Sequence, residues 1–373
     1  MTSVHTQSRS GKRRMLVLLV VLVALVAAGC GTELPQNSLN PAGPEARKID
    51  GLFWLVFWIA AAIFILVEGA LIFTSLRFRR RRNDAREVEQ VHGNIRLEMI
   101  WTMIPVVILA AIAVPTVSTI FDLRRAPDPG ENALVVNVIG HQWWWEFEYP
   151  EYGFETANEM HIPVGRTVYL NITSADVIHS FWVPQLNGKR DAVPSRLNHL
   201  TITADEPGLY LGQCAEFCGL SHADMRHRVY ADSEADFAVW VADQQKPAEI
   251  PTAGAAAAGW ETFQILCTAC HNSDGTGTPV SRQIVATEAG EEFTFDAALA
   301  PNLTHFGSRT TFAGSTLEQT VEHLRTWLAN PSDLKPMRPD QNDIAAGRIL
   351  GMPNFELTDE QIEELIALLE GWQ

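Results

Sequence analysis

The chain has 373 residues, 47% hydrophobic and 19% charged, with a formal net charge of −16, a length that suggests two or three domains. A mean hydropathy of +0.01 with so many acids fits neither an all-membrane bundle nor an ordinary soluble globule. Residues 1–125 carry 15 Lys/Arg against 9 Asp/Glu and residues 126–373 carry 13 against 35, so a basic apolar third precedes an acidic remainder, which excludes nucleic acid as a partner because its phosphates are repelled.

Residues 1–30 have the layout of a signal peptide: Lys12, Arg13 and Arg14, an apolar run from Met15 to Ala28, then small residues up to Cys30. Ala27-Ala28-Gly29-Cys30 resembles a lipoprotein processing box, with Ala27 where that motif usually has Leu. Two longer apolar runs, about 51–76 and 99–121, are each long enough to cross roughly 30 Å of hydrocarbon. The loop between them holds Arg77, Arg79, Arg80, Arg81, Arg82 and Arg86, a density of positive charge that marks the cytoplasmic side. The expected topology is therefore a hairpin over 48–125, with everything after about residue 126 extracytoplasmic. Two acids interrupt the apolar region. Glu68 reads as a helix-contact residue; Glu98 reads either as a functional intramembrane acid or as an interfacial acid at a helix N-terminus.

From about 132 to 231, short β-branched or alternating runs (Leu134–Ile139, Thr167–Thr173, His199–Thr203, Arg228–Tyr230) are separated by Pro and Gly turns, which predicts an antiparallel sandwich or Greek-key barrel. A helix is expected near 232–246, where Phe237, Trp240 and Val241 recur at helical spacing. Inside the strand region Cys214, Cys218, His222 and Met225 fall within twelve residues, with His179 about 35 residues upstream. Soft sulfur ligands with imidazole favour copper; zinc without Met225, or a Cys214–Cys218 disulfide, remain open on spacing alone. His141, His161, His199 and His227 lack ligand spacing and read as structural or surface residues.

Around this cluster stand Gly140-His-Gln-Trp143-Trp-Trp145-Glu-Phe147, Asp176-Val-Ile-His179-Ser-Phe-Trp-Val-Pro184 and Lys189-Arg-Asp-Ala-Val-Pro194-Ser-Arg-Leu-Asn198. Residues 48–246 thereby resemble subunit II of the haem–copper respiratory oxidases, a two-helix hairpin with a cupredoxin domain over about 126–246. The resemblance implies a dinuclear copper centre (CuA) held by the side chains of His179, Cys214, Cys218, His222 and Met225 and by the Glu216 carbonyl. It also implies a magnesium site at the Glu216 carboxylate shared with subunit I, electron passage to copper through Trp143, and a proton-pathway carboxylate at Glu98. Trp144 and Trp145 read as packing residues.

A Pro- and Ala-rich linker over 247–258 runs towards a helix, followed by Cys267-Thr-Ala-Cys270-His271, the attachment signature of c-type haem. Two thiols add to the haem vinyls, and the adjacent His is placed to bind iron. Met352, in Gly351-Met-Pro-Asn-Phe355, is the expected distal ligand; Met337 is the runner-up, and His305 and His323 are remoter. Thr358 and Gln361 form a capping box before an apolar face of Ile362, Leu365, Ile366 and Leu369. The order of helix, haem motif, Met-Pro loop and final helix resembles the all-α class I cytochrome c fold over 259–373, with Pro301 near the proximal His and residues 278–300 reading as an insertion.

Together these resemblances imply the electron-input subunit of a terminal oxidase in the bacterial plasma membrane, of caa type. Electrons would pass from a donor, such as a cytochrome c or a quinol–cytochrome c reductase complex, through haem c and CuA to subunit I, where oxygen becomes water. A stand-alone membrane-anchored electron carrier or copper-delivery protein is the alternative; it leaves Glu98 and the Trp cluster unexplained.

Overall fold

A computed structural model describes Val17, Val20, Val21, Ala24 and residues 34–79, 90, 92–126, 128, 131–277, 280–339 and 350–373. Cys30 and the arginines from Arg80 to Arg86 lie outside the described residues, as does most of the export signal.

Two long helices come first, α1 (Pro44–Arg77) and α2 (Ile95–Leu123). Pro44 opens α1 at a position where its missing N–H costs nothing. Asn94 caps α2 by accepting from the amides of Arg96 and Leu97. Each carries a long apolar stretch that nothing else among the described residues buries, which is how a membrane span reads. Lys48 near the start of α1 pairs with Asp122 near the end of α2 at 3.3 Å, so the two run antiparallel. The start of α1 is tied to the aqueous part: the Ala42 amide donates to the Gln185 carbonyl at 2.8 Å, and the Asp205 amide to the Ala42 carbonyl at 2.9 Å.

Ten strands then form two five-stranded sheets. They are β1 (Leu134–His141), β2 (Trp144–Tyr149), β3 (Phe154–Ala157), β4 (Glu159–Pro163), β5 (Val168–Ser174), β6 (His179–Trp182), β7 (Arg190–Ala192), β8 (Asn198–Ile202), β9 (Gly208–Cys214) and β10 (Arg226–Asp232). One sheet has the order β3-β2-β1-β5-β8, the other β4-β10-β9-β6-β7. The β1–β5 and β4–β10 pairs are parallel and the rest antiparallel, giving the expected Greek-key cupredoxin sandwich. Its core takes alternate residues such as Leu134, Val136 and Val138 of β1 with Val168, Leu170 and Ile172 of β5. Helix α3 (Glu234–Gln244), capped by Ser233, closes one end with Phe237 and Val241 inward.

The C-terminal unit is helical: α4 (Gly254–Leu266), α5 (Val321–Ala329), the single turn α6 (Pro331–Leu334) and α7 (Asp359–Gly371). The Thr358–Gln361 capping box forms at α7, and Ile362, Leu365, Ile366 and Leu369 are its buried face. Helices α4 and α7 cross at Gly259, where a Cβ would sit 2.1 Å from the Glu364 carbonyl oxygen; glycine is required for this approach.

The stretch read as an insertion holds a β-hairpin, β11 (Ser281–Glu288) with β12 (Glu291–Ala298), paired from Ser281↔Ala298 to Glu288↔Glu291. A short pair, β13 (Thr311–Phe312) with β14 (Leu317–Glu318), follows it.

Candidate metal and haem sites

The sulfur cluster lies where β6, β9 and the start of β10 meet. Phe181 of β6 pairs with Cys214, the last residue of β9, while the loop after β9 carries Glu216, Cys218 and His222 back to Met225 ahead of β10. Cys214, Cys218, His179 and Met225 are buried. The Cys214 and Cys218 sulfurs stand 3.8 Å apart; Cys214 Sγ is 3.9 Å from His179 Nδ1 and 3.3 Å from the Glu216 carbonyl oxygen. Cys218 Sγ is 3.6 Å from His222 Nδ1 and 3.8 Å from Met225 Sδ. Such spacings are those between neighbouring ligands of a metal with bonds of about 2.0–2.3 Å, and far exceed a disulfide's length of about 2.05 Å. A short contact to the Cys218 thiol, with help from His179, holds the Cys214 thiol well below its usual range, favouring thiolate. His179 Nε2 donates to Asp176 Oδ1 at 2.8 Å, which leaves Nδ1 for a metal, the arrangement of a ligating imidazole braced by a carboxylate. Gly140 of β1 admits that ring, since a Cβ there would meet His179 Cδ2 at 2.8 Å. Two thiolates, two imidazoles, a thioether and a carbonyl make a soft set that fits copper better than zinc. The Glu216 side chain is exposed.

The second site is a cleft open to solvent, lined by Cys267, Cys270, His271, Met337 and Met352. The two cysteines follow the end of α4, Cys267 as its C-cap; burial pushes the Cys267 thiol up to about 12, so it stays protonated. His271 Nδ1 donates to the Pro301 carbonyl at 2.8 Å, so Nε2 is the free ring nitrogen, and burial holds the imidazole below its usual value, neutral as a ligand must be. This donor set fits covalent haem with a thioether on the far side. Met337 and Met352 are both within reach of the cleft, Met337 packed against Gly351, the residue before Met352. His305 instead engages the carbonyls of Gln244 and Lys246, and His323 that of Glu318.

One wall of the cleft belongs to the sandwich: Gln142, Trp143 and Trp144 line it. Trp143 Nε1 donates to the Cys218 carbonyl at 3.1 Å, and Gln142 Nε2 donates to the same oxygen. A single tryptophan thus borders the haem cleft and bonds the backbone of a copper-ligand candidate. Trp144 stacks on His141 at 4.2 Å and packs against Ala298, whereas Trp145 is wholly inside the sandwich. Of the other histidines, His161 bonds Asp232, His199 bonds Glu288, and His227 is shut among Phe181, Trp145 and Phe147. Glu98 stands apart in the first turn of α2, where its carboxylate accepts from the Asn94 amide at 3.2 Å.

Sequence reasoning passed over two buried charged groups here. Lys335, from the end of α6, donates Nζ to the Trp143 carbonyl at 2.7 Å and to the Ala313 carbonyl at 3.0 Å. Glu146 of β2 meets His141 Nε2 at 2.8 Å and accepts from the Ala298 amide. Burial, helped by Glu148, pushes the Glu146 carboxyl up to about 8 and burial takes His141 down to about 3, so the pair is neutral. No local spacing marks either residue, because Ala298 lies 152 positions from Glu146 and Trp143 lies 192 from Lys335.

The family models matching the chain are those of the cytochrome c oxidase subunit II transmembrane domain over residues 32–119, its periplasmic domain over 153–231, and cytochrome c over 256–372. Cytochrome c oxidase subunit 2 of Alkalihalophilus pseudofirmus is 36% identical over 354 residues, covering 94% of this chain and 94% of its own. The subunit of the same name from Bacillus sp. strain PS3 is 34% identical over 361 residues, covering 93% and 94%. A solved periplasmic domain of cytochrome oxidase subunit II from Bradyrhizobium japonicum is 34% identical over 31% of this chain and 96% of its own, with a TM-score of 0.30.

Proposed function

Because the chain belongs to the cytochrome c oxidase subunit 2 family, we propose that it receives electrons from a donor outside the membrane, through covalent haem c and CuA, and delivers them to subunit I for reduction of oxygen to water. Haem and a dinuclear copper centre, when bound, supply one-electron carriers that change charge with little rearrangement of their ligands. Cys267 and Cys270 would hold the haem covalently, and His271 and Met352 would supply nitrogen and sulfur to its iron. His179, Cys214, Cys218, His222, Met225 and the Glu216 carbonyl would hold the coppers, leaving no open position for a substrate. Glu216 would share a magnesium ion with subunit I, and Glu98 would serve proton uptake there. The bacterial plasma membrane is the proposed location, with the sandwich and the haem domain outside. A cytochrome c or a quinol–cytochrome c reductase complex is the proposed donor, steered by the acidic charge if the docking partner is basic.

The observation that carries this reading is Trp143, which lines the haem cleft while its indole donates to the Cys218 carbonyl. The test is rapid reduction of the haem in the purified, metal-loaded protein, followed by the copper EPR signal. Copper reduction concurrent with haem oxidation is expected, slowed in Trp143→Leu with both spectra intact. Haem oxidation without copper reduction would refute the route, and isolation as a lone monomer would favour the carrier alternative.

A further inference from the structure

The hairpin of β11 and β12 lies between the haem motif and Pro301, and the haem cleft does not need it for closure. Its buried side faces the sandwich instead: Ala286, Phe295 and Ala297 form a cluster with Ile139 of β1 and Leu197. The backbone joins as well. The Leu197 amide donates to the Thr287 carbonyl and the Thr287 amide to the Ser195 carbonyl, both at 3.1 Å. At the tip His199 Nε2 and Glu288 Oε2 stand 2.6 Å apart, and near the base Arg282 bonds the Ala175 carbonyl.

The return strand then connects this contact to the haem ligand. Ala298 at its end donates to the buried Glu146, Ala300 bridges to His271, and Pro301 accepts the proton of His271 Nδ1. Only the short run from Ala298 to Pro301 therefore separates an anchor on the sandwich from the group that orients the imidazole. On the far side of the cleft, Lys335 ties α6 to the Trp143 carbonyl. Apolar cluster, an isolated backbone bridge and buried hydrogen bonds together attach the two units on both sides of the cleft.

We infer that the hairpin Ser281–Ala298 is an interdomain clamp, which holds the haem domain in one docked pose against Trp143 so that electron transfer to the copper site requires no docking step. The inference rests on the haem-to-copper reading above and adds how the two centres are held. A tether alone would supply only a high local concentration, with each transfer preceded by a search; the clamp replaces the search with a fixed interface.

The test uses the purified oxidase carrying this chain, with nitroxide labels at Glu206→Cys on the sandwich and Glu360→Cys on the haem domain. One narrow distance distribution is expected, with haem-to-copper transfer in a single phase unaffected by solvent viscosity. Phe295→Ser combined with Glu288→Lys, neither at a proposed haem or copper ligand, should broaden the distribution. The same variant should slow transfer roughly tenfold or more and make it viscosity-dependent, with haem absorption and copper EPR unchanged. A broad distribution in the unmodified protein overturns the clamp before any variant is made, and so does a variant whose distribution or rate is unaltered. A narrow distribution without haem-to-copper transfer would instead refute the transfer route and leave the clamp standing.

Discussion

Replacing Glu146 with Gln isolates one buried proton at the junction of the two aqueous domains. The carboxyl is 1% exposed and is pushed up to about 8 by burial and the nearby Glu148. A carboxyl raised in the folded state takes up a proton on folding, so its contribution is complete below the ordinary Glu range and is lost as pH rises through about 8. Between pH 6.5 and 8 the folded protein keeps that proton while the unfolded chain has lost it, a cost of about 2 kcal/mol at roughly 1.36 kcal/mol per pH unit. His141 and His227, held down to about 3, have passed their own window by pH 6.5. Lys335, lowered to about 7 by burial, works in the opposite direction above that pH. The difference between native and Glu146→Gln proteins cancels His227 and Lys335, which do not bond Glu146, and Gln keeps an acceptor for the Ala298 amide and cannot ionise. The variant should therefore gain about 2 kcal/mol relative to native from pH 6.5 to 8, measured by denaturant unfolding of the loaded chain in detergent. Parallel curves for the two proteins would refute a buried neutral carboxyl at this position.

The proposed haem ligand is tested by Met352→Ala, which should abolish the low-spin methionine-ligated spectrum that Met337→Ala keeps; the reverse pattern would assign Met337. Cys218→Ser should remove the proposed copper centre's EPR signal while the haem spectrum persists, because a serine hydroxyl cannot replace the thiolate as a soft donor. Gly259→Ala places a methyl 2.1 Å from the Glu364 carbonyl oxygen. It should destabilise the haem domain by about 1–3 kcal/mol or more, read as a lowered midpoint for haem-domain unfolding with an unchanged copper signal.

The parts legible in the sequence are those whose chemistry demands fixed local spacing. The Cys267-Thr-Ala-Cys270-His271 run, the Cys214–Met225 cluster and the apolar runs of the two long helices each show within one short stretch of sequence, whereas His179 and Met352 are joined to theirs only through the resemblance. The α7 cap at Thr358 and the strand containing Leu134 are legible for the same reason. What the sequence leaves dark is the contact between domains. Glu146 and Ala298 are 152 positions apart, and Lys335 and Trp143 are 192 apart. Neither Lys335 nor Glu146 sits in a spacing that distinguishes it from a solvated charge. The stretch 278–300 reads as an insertion because it departs from a compact cytochrome, and the surface its hairpin packs on, at Ile139 and Leu197, lies far upstream.

The placement of Trp143 and Trp144 in the wall of the haem cleft bears on how such a chain is matured. With that wall in place one side of the cleft is supplied by the sandwich, so attachment chemistry at Cys267 and Cys270 would meet less obstruction before the two domains meet. The sulfur cluster is approached differently, since Cys214 and His222 line a separate cleft beside the start of α1. The two candidate sites therefore open to different surfaces of the chain. A protein that had received its haem and closed would still be open at the sulfur cluster, so neither loading step needs to precede the other.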